Sequence, residues 1–278
     1  ADIIKSLDIH DGDMVYVEKG GEIIPKIVGV DKSRRIAGSE PIKFVTTCPA
    51  CGTPLKRVEG EAAWVCPDKK HCSPQITGRI EHFVGRHMMN IDGIGEEVAV
   101  QLFKSGLVKN VADIYDLTAD KLLSLEHFQK RAASRLINGV EASKRVPFER
   151  VIFALSIPYV GETTARVLAR NLHDMDHLMA ASEEALSAIP EIGPKIAESI
   201  VAFFADSDNV AIVERLRAAG LQMAIPADEL AGRTNKLEGK KIVISGVFAK
   251  HSREEYKAMI EQNGGKNVGS ISGATSFV

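Results

Sequence analysis

Cysteine is scarce in this chain: four among 278 residues, all of them between Cys48 and Cys72. So few, so tightly clustered, do not make a disulfide framework; the clustering favours metal ligation in a reducing compartment. Excess charge of one sign is lacking too. Thirty-five Lys and Arg stand against 37 Asp and Glu, a net charge of -2, so no global basic field advertises a nucleic-acid partner. Any such binding has to come from local geometry and local charge. No apolar run approaches the roughly 20 residues of a membrane-spanning helix, and Ala1 through Asp8 have neither the apolar core nor the cleavage pattern of a secretory signal. What is present, 45% hydrophobic and 26% charged residues, suits a folded globular chain long enough for two or more domains.

The first forty residues read as strand. Met14–Glu18 and Glu22–Val30 are β-rich runs around Lys19-Gly20-Gly21, and Gly-Gly is a good two-residue hairpin turn. This segment has too little apolar material to stand alone and reads as the tail of a β-barrel that began upstream; a hairpin docked on its neighbour is the alternative. From about Ile76 to Ala224 the pattern is helical, and a polar linker, Asp228–Lys236, follows. Beyond it Lys241–Ser245 reads as a buried strand ending in Gly246. Ser252-Arg253-Glu254-Glu255 is a capping box opening a helix that stops at Gly264-Gly265, and another strand is expected near Ser276. A β-α-β unit halted there leaves an unpaired edge, so the expectation is a truncated domain.

The cysteines are spaced as Cys48-x₂-Cys51, fourteen residues to Cys66, and five more to Cys72. A Cys-x₂-Cys knuckle brings two thiolates to within about 4 Å on a tight turn, as tetrahedral Zn²⁺ requires. Gly52 lets the turn curl amides toward sulfur. Four sulfurs leave no open position, so the expected site is structural and not hydrolytic. His71 beside Cys72 is a weaker ligand candidate, because adjacent residues rarely both ligate. The spacing also differs from the six, two and five of the iron–sulfur glycosylases.

The helical region repeats itself four times. The copies are Ile91-Asp92-Gly93-Ile94-Gly95 with Ala99 and Leu102; Leu125-Glu126-His127-Phe128-Gln129 with Ala133 and Leu136; Ile157-Pro158-Tyr159-Val160-Gly161 with Ala165 and Leu168; and Ile189-Pro190-Glu191-Ile192-Gly193 with Ala197 and Ile200. They start at 91, 125, 157 and 189, steps of 34, 32 and 32. The second and fourth share a helix N-cap seven residues upstream, Thr118 and Ser182, as if one double unit had been duplicated. Each copy reads as helix, tight hairpin, helix. A hairpin glycine permits positive φ, and the final glycine lets the chain lie close against a ligand. The next helix then starts with amides that favour an anionic oxygen, while its alanine keeps the two helices close. This resembles the helix-hairpin-helix motif, which grips a DNA backbone without reading bases. The expected contacts are Gly93, Ile94, Gly95, Gly161, Thr163, Arg166, Gly193, Lys195, Lys130 and Arg131, with Arg79 and Arg86 as further helpers. Copies one, three and four are favoured for phosphate; in the second, His127 and Gln129 replace both glycines and packing is as good a reading.

In this order the features resemble the C-terminal portion of the bacterial NAD⁺-dependent DNA ligases. The stretch ending in Glu22-Ile23-Ile24-Pro25-Lys26 is similar to the end of that family's OB-fold, the cysteine spacing to its zinc finger, and the four hairpins to its helix-hairpin-helix domain. Leu237 through Gly246, with Gly264-Gly265, resembles the start of its BRCT domain. The fold class implied is multidomain and mainly α: an OB-fold end over 1–45, a four-cysteine zinc finger over 46–80, the hairpin domain over 81–225, a linker over 226–236 and a partial α/β BRCT piece over 237–278. The family's lysine nucleophile sits in a Lys-x-Asp-Gly motif. The nearest approach here is Asn90-Ile91-Asp92-Gly93, whose asparagine cannot form a lysyl phosphoramidate.

The resemblance therefore implies a fragment that clamps nicked double-stranded DNA while the missing N-terminal adenylation domain of the same polypeptide supplies the chemistry, with NAD⁺ and Mg²⁺ bound outside this chain. Zinc, held by Cys48, Cys51, Cys66 and Cys72, is expected to contribute folding energy and to fix the angle between barrel and hairpin array. No membrane partner is implied, and the expected location is the bacterial cytoplasm, at the nucleoid. Two other readings stand beside this one. A stand-alone hairpin module would be expected to finish its barrel. A glycosylase would need a catalytic Lys or Asp just after a hairpin; Lys195 is so placed but suits phosphate contact better.

Overall fold

The computed structural model describes residues 2–20, 24–57, 61–126, 128–231, 234 and 236–278. The chain divides into two compact units, one made of residues 1–81 and 94–111, the other of 82–93 and 112–278. Among the described residues no helix is long and apolar enough to cross a membrane.

In the first unit a short helix (Asp2–Ser6) precedes an antiparallel ribbon of β1 (Val15–Gly20) and β2 (Ile24–Val30), paired from Val15↔Val30 to Gly20↔Ile24 with a bulge at Tyr16/Val17. The expected turn residue Gly21, with Glu22 and Ile23, lies outside the described residues. The ribbon forms no closed barrel, and Tyr16, Val17 and Ile24 remain exposed. What orders this segment is polar. Arg35 donates Nε and Nη2 to the two oxygens of the fully buried Asp13 carboxylate, each at 2.9 Å, and Nη1 to Asp8 Oδ2 at 3.0 Å. The Arg35 hydrogen bond holds the Asp8 carboxyl down to about 2. A second, two-residue ribbon, β3 (Lys56–Arg57) against β4 (Trp64–Val65), belongs to the cysteine cluster. Helix Ser73–Val84 starts one residue after Cys72 and runs across the division between the units; helix Glu96–Lys104 completes the first unit.

The second unit holds most of the apolar core. Its helices follow the repeat: Ala119–Leu123 and Lys130–Ser143, Phe148–Ala154 and Glu162–Leu172, then Glu183–Ser187 and Pro194–Ala205. Within each of these pairs the two helices pack together. The repeated alanines explain how: Ala133, Ala165 and Ala197 are completely buried, as is Ala99 of the first copy, and so are Leu136, Leu168 and Ile200 one turn further on. A small side chain at the crossing and a large one beside it let two short helices approach closely, a division of labour that 3.6-residue periodicity carries down one face. Outside the hairpins, Ser207–Ala218 reaches back to the segment 111–116: Arg215 donates to Asp113 at 2.7 Å and to Asp116 at 2.5 Å.

After Leu237 the expected β-α-β unit is present but leaner than its sequence suggests. The strand expected over Lys241–Ser245 is limited to β5 (Lys241–Ile242), parallel to β6 (Lys266–Asn267), while Val243 and Ile244 are buried without extending it. The strand expected near Ser276 is a single bridge, Ile242↔Phe277. With a two-residue ladder on one side and a single bridge on the other, the apolar run is buried without pairing along its length. Helix Arg253–Gln262 begins with the expected capping box, Ser252 Oγ accepting from Glu255 N–H at 3.2 Å and Glu255 Oε2 from Ser252 N–H at 2.6 Å. Gly265 has a packing reason: a Cβ there would stand 2.8 Å from Ile260 Cγ2 and 3.1 Å from Leu237 Cβ.

Candidate nucleic-acid interface and metal centre

The four cysteines converge as their spacing requires. All four sulfurs lie within 4.8 Å of one another, with Cys48 Sγ–Cys72 Sγ at 3.8 Å and Cys51 Sγ–Cys66 Sγ at 3.5 Å. A tetrahedral zinc with Zn–S near 2.3 Å sets its sulfurs roughly 3.8 Å apart, so the set fits that ion with little adjustment. The knuckle closes through Gly52 N–H to Cys48 O at 2.8 Å and Cys48 N–H to Thr53 O at 2.8 Å. Cys51 Sγ donates to Thr53 Oγ1 at 3.2 Å, and the Gln75 and Ile76 amides donate to Cys72 O at 3.0 and 3.1 Å. Hydrogen bonding to the Thr53 side chain brings the Cys51 thiol down to about 6, whereas burial pushes Cys66 up to about 12 and raises Cys72. Four thiolates this close repel one another, and a divalent cation among them would offset that repulsion. His71 turns elsewhere, Nδ1 lying 3.1 Å from Asp68 Oδ1, so the cluster is sulfur only.

The hairpin corners share one backbone shape, and glycine is not what confers it. Gly93 has φ +101, but the matching corners of copies three and four are Tyr159 at +64 and Glu191 at +73. A left-handed conformation at a residue with a Cβ costs about 1–2 kcal/mol, so these two corners are held by their surroundings. His127, the corner of copy two, lies outside the described residues. The last position of each copy differs again. Gly95, Gln129, Gly161 and Gly193 are all extended, with φ between -99 and -82, and each is the N-cap of the second helix without a side-chain cap hydrogen bond. A Cβ placed on Gly95, Gly161 or Gly193 would meet nothing within 4 Å. Neither backbone conformation nor internal packing demands glycine there. The open space is outside the protein.

At these helix starts the main-chain donors remain available. Among the described residues the amides of Gly95, Glu96 and Glu97, and of Gly161, Glu162 and Thr163, find no acceptor. Copy four offers less, since Pro194 has no N–H and Ile196 N–H is taken by Gly193 O at 3.0 Å. Side chains differ in the opposite sense. The starts of copies one and three carry Glu96, Glu97 and Glu162, those of copies two and four Lys130, Arg131 and Lys195. Among the residues singled out from the sequence, Gly93, Gly95, Gly161, Thr163, Lys130, Arg131 and Lys195 are exposed and Gly193 is half-exposed. The Ile94 side chain is buried, which leaves only its main chain to offer. Arg166 is paired with Glu162 at 3.3 Å one helical turn away. Arg79 donates to Lys69 O at 2.8 Å inside the cysteine cluster's own loop, and Arg86 is exposed.

The copies associate in pairs, as the shared N-caps suggested. The corner of copy one lies against the second helix of copy two, where a Cβ on Gly93 would touch Leu136 and one on Gly139 would meet Ile91 and Asp92. Copy three relates to copy four in the same way: Ser199 Oγ donates to Pro158 O at 2.8 Å, and Lys195 Nζ lies 4.4 Å from the centre of the Tyr159 ring. The leading helices of copies one and three are also joined, by His82 Nε2 to Phe153 O at 2.9 Å and Arg150 Nε to His87 O at 3.1 Å. Sequence reading missed Tyr159, Ser199, His82 and Arg150. Of these only Tyr159 left a signal, as a bulky residue aligned with Gly93.

Comparison with known proteins agrees with this layout. Residues 47–73 match the NAD-dependent DNA ligase C4 zinc finger domain, 85–142 a SAM-like helix-hairpin-helix tandem, 150–213 a helix-hairpin-helix motif, and 232–278 the BRCA1 C Terminus (BRCT) domain. The chain is 54% identical over 278 residues to a protein named DNA ligase from Phocaeicola vulgatus, covering all of this chain and 42% of that one. It is 53% identical over 279 residues to the DNA ligase of Parabacteroides distasonis, with 42% of the relative covered. Against the DNA ligase of Porphyromonas gingivalis the figures are 48% and 41%. The chain thus spans less than half the length of these relatives.

Proposed function

We propose that this chain, which is homologous throughout to the zinc-finger, hairpin and BRCT portion of the NAD-dependent DNA ligases, is the part of such an enzyme that holds nicked duplex DNA during nick sealing in replication and repair. The observation that carries the reading is the set of uncapped helix starts at the hairpin corners. Their amides and helix dipoles favour phosphate oxygens, and at Gly95, Gly161 and Gly193 no Cβ stands in front of them. Contacts of this kind hold the backbone and carry no sequence information, which suits an enzyme that seals breaks wherever they occur.

In this reading Gly95, Gly161 and Gly193, with the main chain of Gly93 and Ile94 and the side chain of Thr163, approach the phosphates. Lys130, Arg131 and Lys195 add charge, and Arg166 does so once Glu162 releases it. Copy two then contributes through its cations and not through glycine. The four cysteines hold zinc, which supplies folding energy to its own loop and no chemistry. Adenylation, with NAD⁺ and Mg²⁺, belongs to a separate domain of the same polypeptide, so the chain alone binds but does not ligate. The bacterial cytoplasm is the corresponding compartment.

Fluorescence anisotropy with labelled nicked duplexes of unrelated sequence tests the proposal. Equal affinities are expected, with log K falling by about 0.9 per neutralised phosphate for each unit of log[salt]. Strong preference for one sequence, or affinity indifferent to salt, would overturn it. A stand-alone repair module predicts the same binding; it is separated by adding the adenylation portion of a relative, which restores ligation only if the chain belongs to a ligase.

A further inference from the structure

Tyr159 is an odd occupant for its position. It takes a left-handed backbone conformation where copy one has Gly93, and the residue is 48% exposed, so it is not there to fill the core. A strained residue kept at a half-exposed corner points to a task beyond packing. Its ring carries the Lys195 ammonium 4.4 Å from its centre, within reach of a cation–π interaction. Ser199, one turn further along the helix of Lys195, fixes the distance by donating to Pro158 O, the residue before Tyr159. Lysine is otherwise a long, mobile side chain whose ordering opposes binding. Copy four, meanwhile, has the poorest supply of main-chain donors: Pro194 lacks an N–H and Ile196 N–H is already taken. It also carries an acid at its corner, Glu191, which is paired with Lys266.

Resting on the DNA-binding reading above, we infer that Tyr159 is a positioning residue for Lys195: the ring orders the ammonium, so that copy four grips its phosphate by a pre-placed cation where copies one and three use amides. Corner three thereby completes the phosphate contact of corner four, and the pair works as one clasp. The ligand is a phosphodiester of duplex DNA. Tyr159 itself need not touch it.

The test uses the whole chain and a nicked duplex. Tyr159→Phe keeps the ring face and is expected to bind within twofold of the parent. Tyr159→Gly relieves the left-handed strain and removes the ring; affinity is expected to fall about three- to fivefold while thermal stability holds or rises, which a merely structural residue would not do. Lys195→Gln is expected to lower the salt slope by about 0.9, and adding Tyr159→Gly to it to cost nothing more. Full affinity in Tyr159→Gly, or an undiminished loss on the Lys195→Gln background, would overturn the inference. A second readout needs no DNA: the Lys195 ε-methylene protons, shifted upfield by the ring, return to ordinary values in Tyr159→Gly. No shift in the parent sinks the placement itself. If that shift is present but the parent chain fails to bind nicked duplex, the DNA-binding reading is what fails, and the role assigned to Tyr159 falls with it.

Discussion

Two groups of helix starts in this chain differ in how they are capped. Ala119–Leu123, Met175–Ala180 and Glu183–Ser187 are capped by their own chain, with Thr118, Asp174 and Ser182 each accepting from an amide three residues on. The second helices of the hairpins begin instead at Gly95, Gln129, Gly161 and Gly193 with no such bond. A side-chain oxygen at the N-cap is worth about 1 kcal/mol over alanine but only a few tenths over glycine, so three glycines at equivalent places leave the amides uncapped at little cost to the fold. On the function proposed above, the difference separates helix starts that serve the fold from hairpin starts kept open for a ligand.

The largest way to break that contrast is to close an open start. Gly161→Asp would put a carboxylate where phosphate is expected, serving the same amides. We expect nicked-duplex affinity to drop by tenfold or more, roughly the cost of repelling one phosphate at a helix terminus, with the melting temperature unchanged or slightly higher. Loss of fold and binding together would mean that the glycine is structural. Next in size, Cys66→Ser should lose zinc, measured by metal analysis, and lower the stability of the first unit, because the three remaining sulfurs leave the ion undercoordinated. Retention of both zinc and melting temperature would remove the cluster from the account. Gly193→Val should then weaken DNA binding several-fold, against little change for Gln129→Ala; equal effects would erase the ranking of the copies. The smallest change tests the other side. Thr118→Ala should cost about 1 kcal/mol of stability in a denaturant titration and leave DNA affinity where it was.

The two features differ in how far they could be read from residues alone. Sulfur chemistry is local, so two residues between Cys48 and Cys51 already imply a shared ion, and the structure gathers the sulfurs as the spacing says. The hairpins were legible only because they recur: a single Ile-Pro-Glu-Ile-Gly proves little, but four copies ending near an identical alanine reveal the helix crossing. What escaped was tertiary. The left-handed corners at Tyr159 and Glu191 are held against local preference by neighbours about 40 positions or more away in one case, Ser199 to Pro158, and by Lys266 in the other. The strand expected through Ser245 fell short because Val243 and Ile244 find burial without a ladder. Periodicity speaks to which face is buried; it does not say how many residues will pair.

The central claim is that uncapped amides at the hairpin corners receive DNA phosphates. It is tested most directly by following backbone ¹H–¹⁵N resonances while a nicked duplex is added. Gly95, Gly161 and Thr163 should shift strongly, with the helix starts after Thr118 and Ser182 almost still. Saturable binding that leaves those corner amides unmoved, and perturbs the self-capped starts instead, would contradict it.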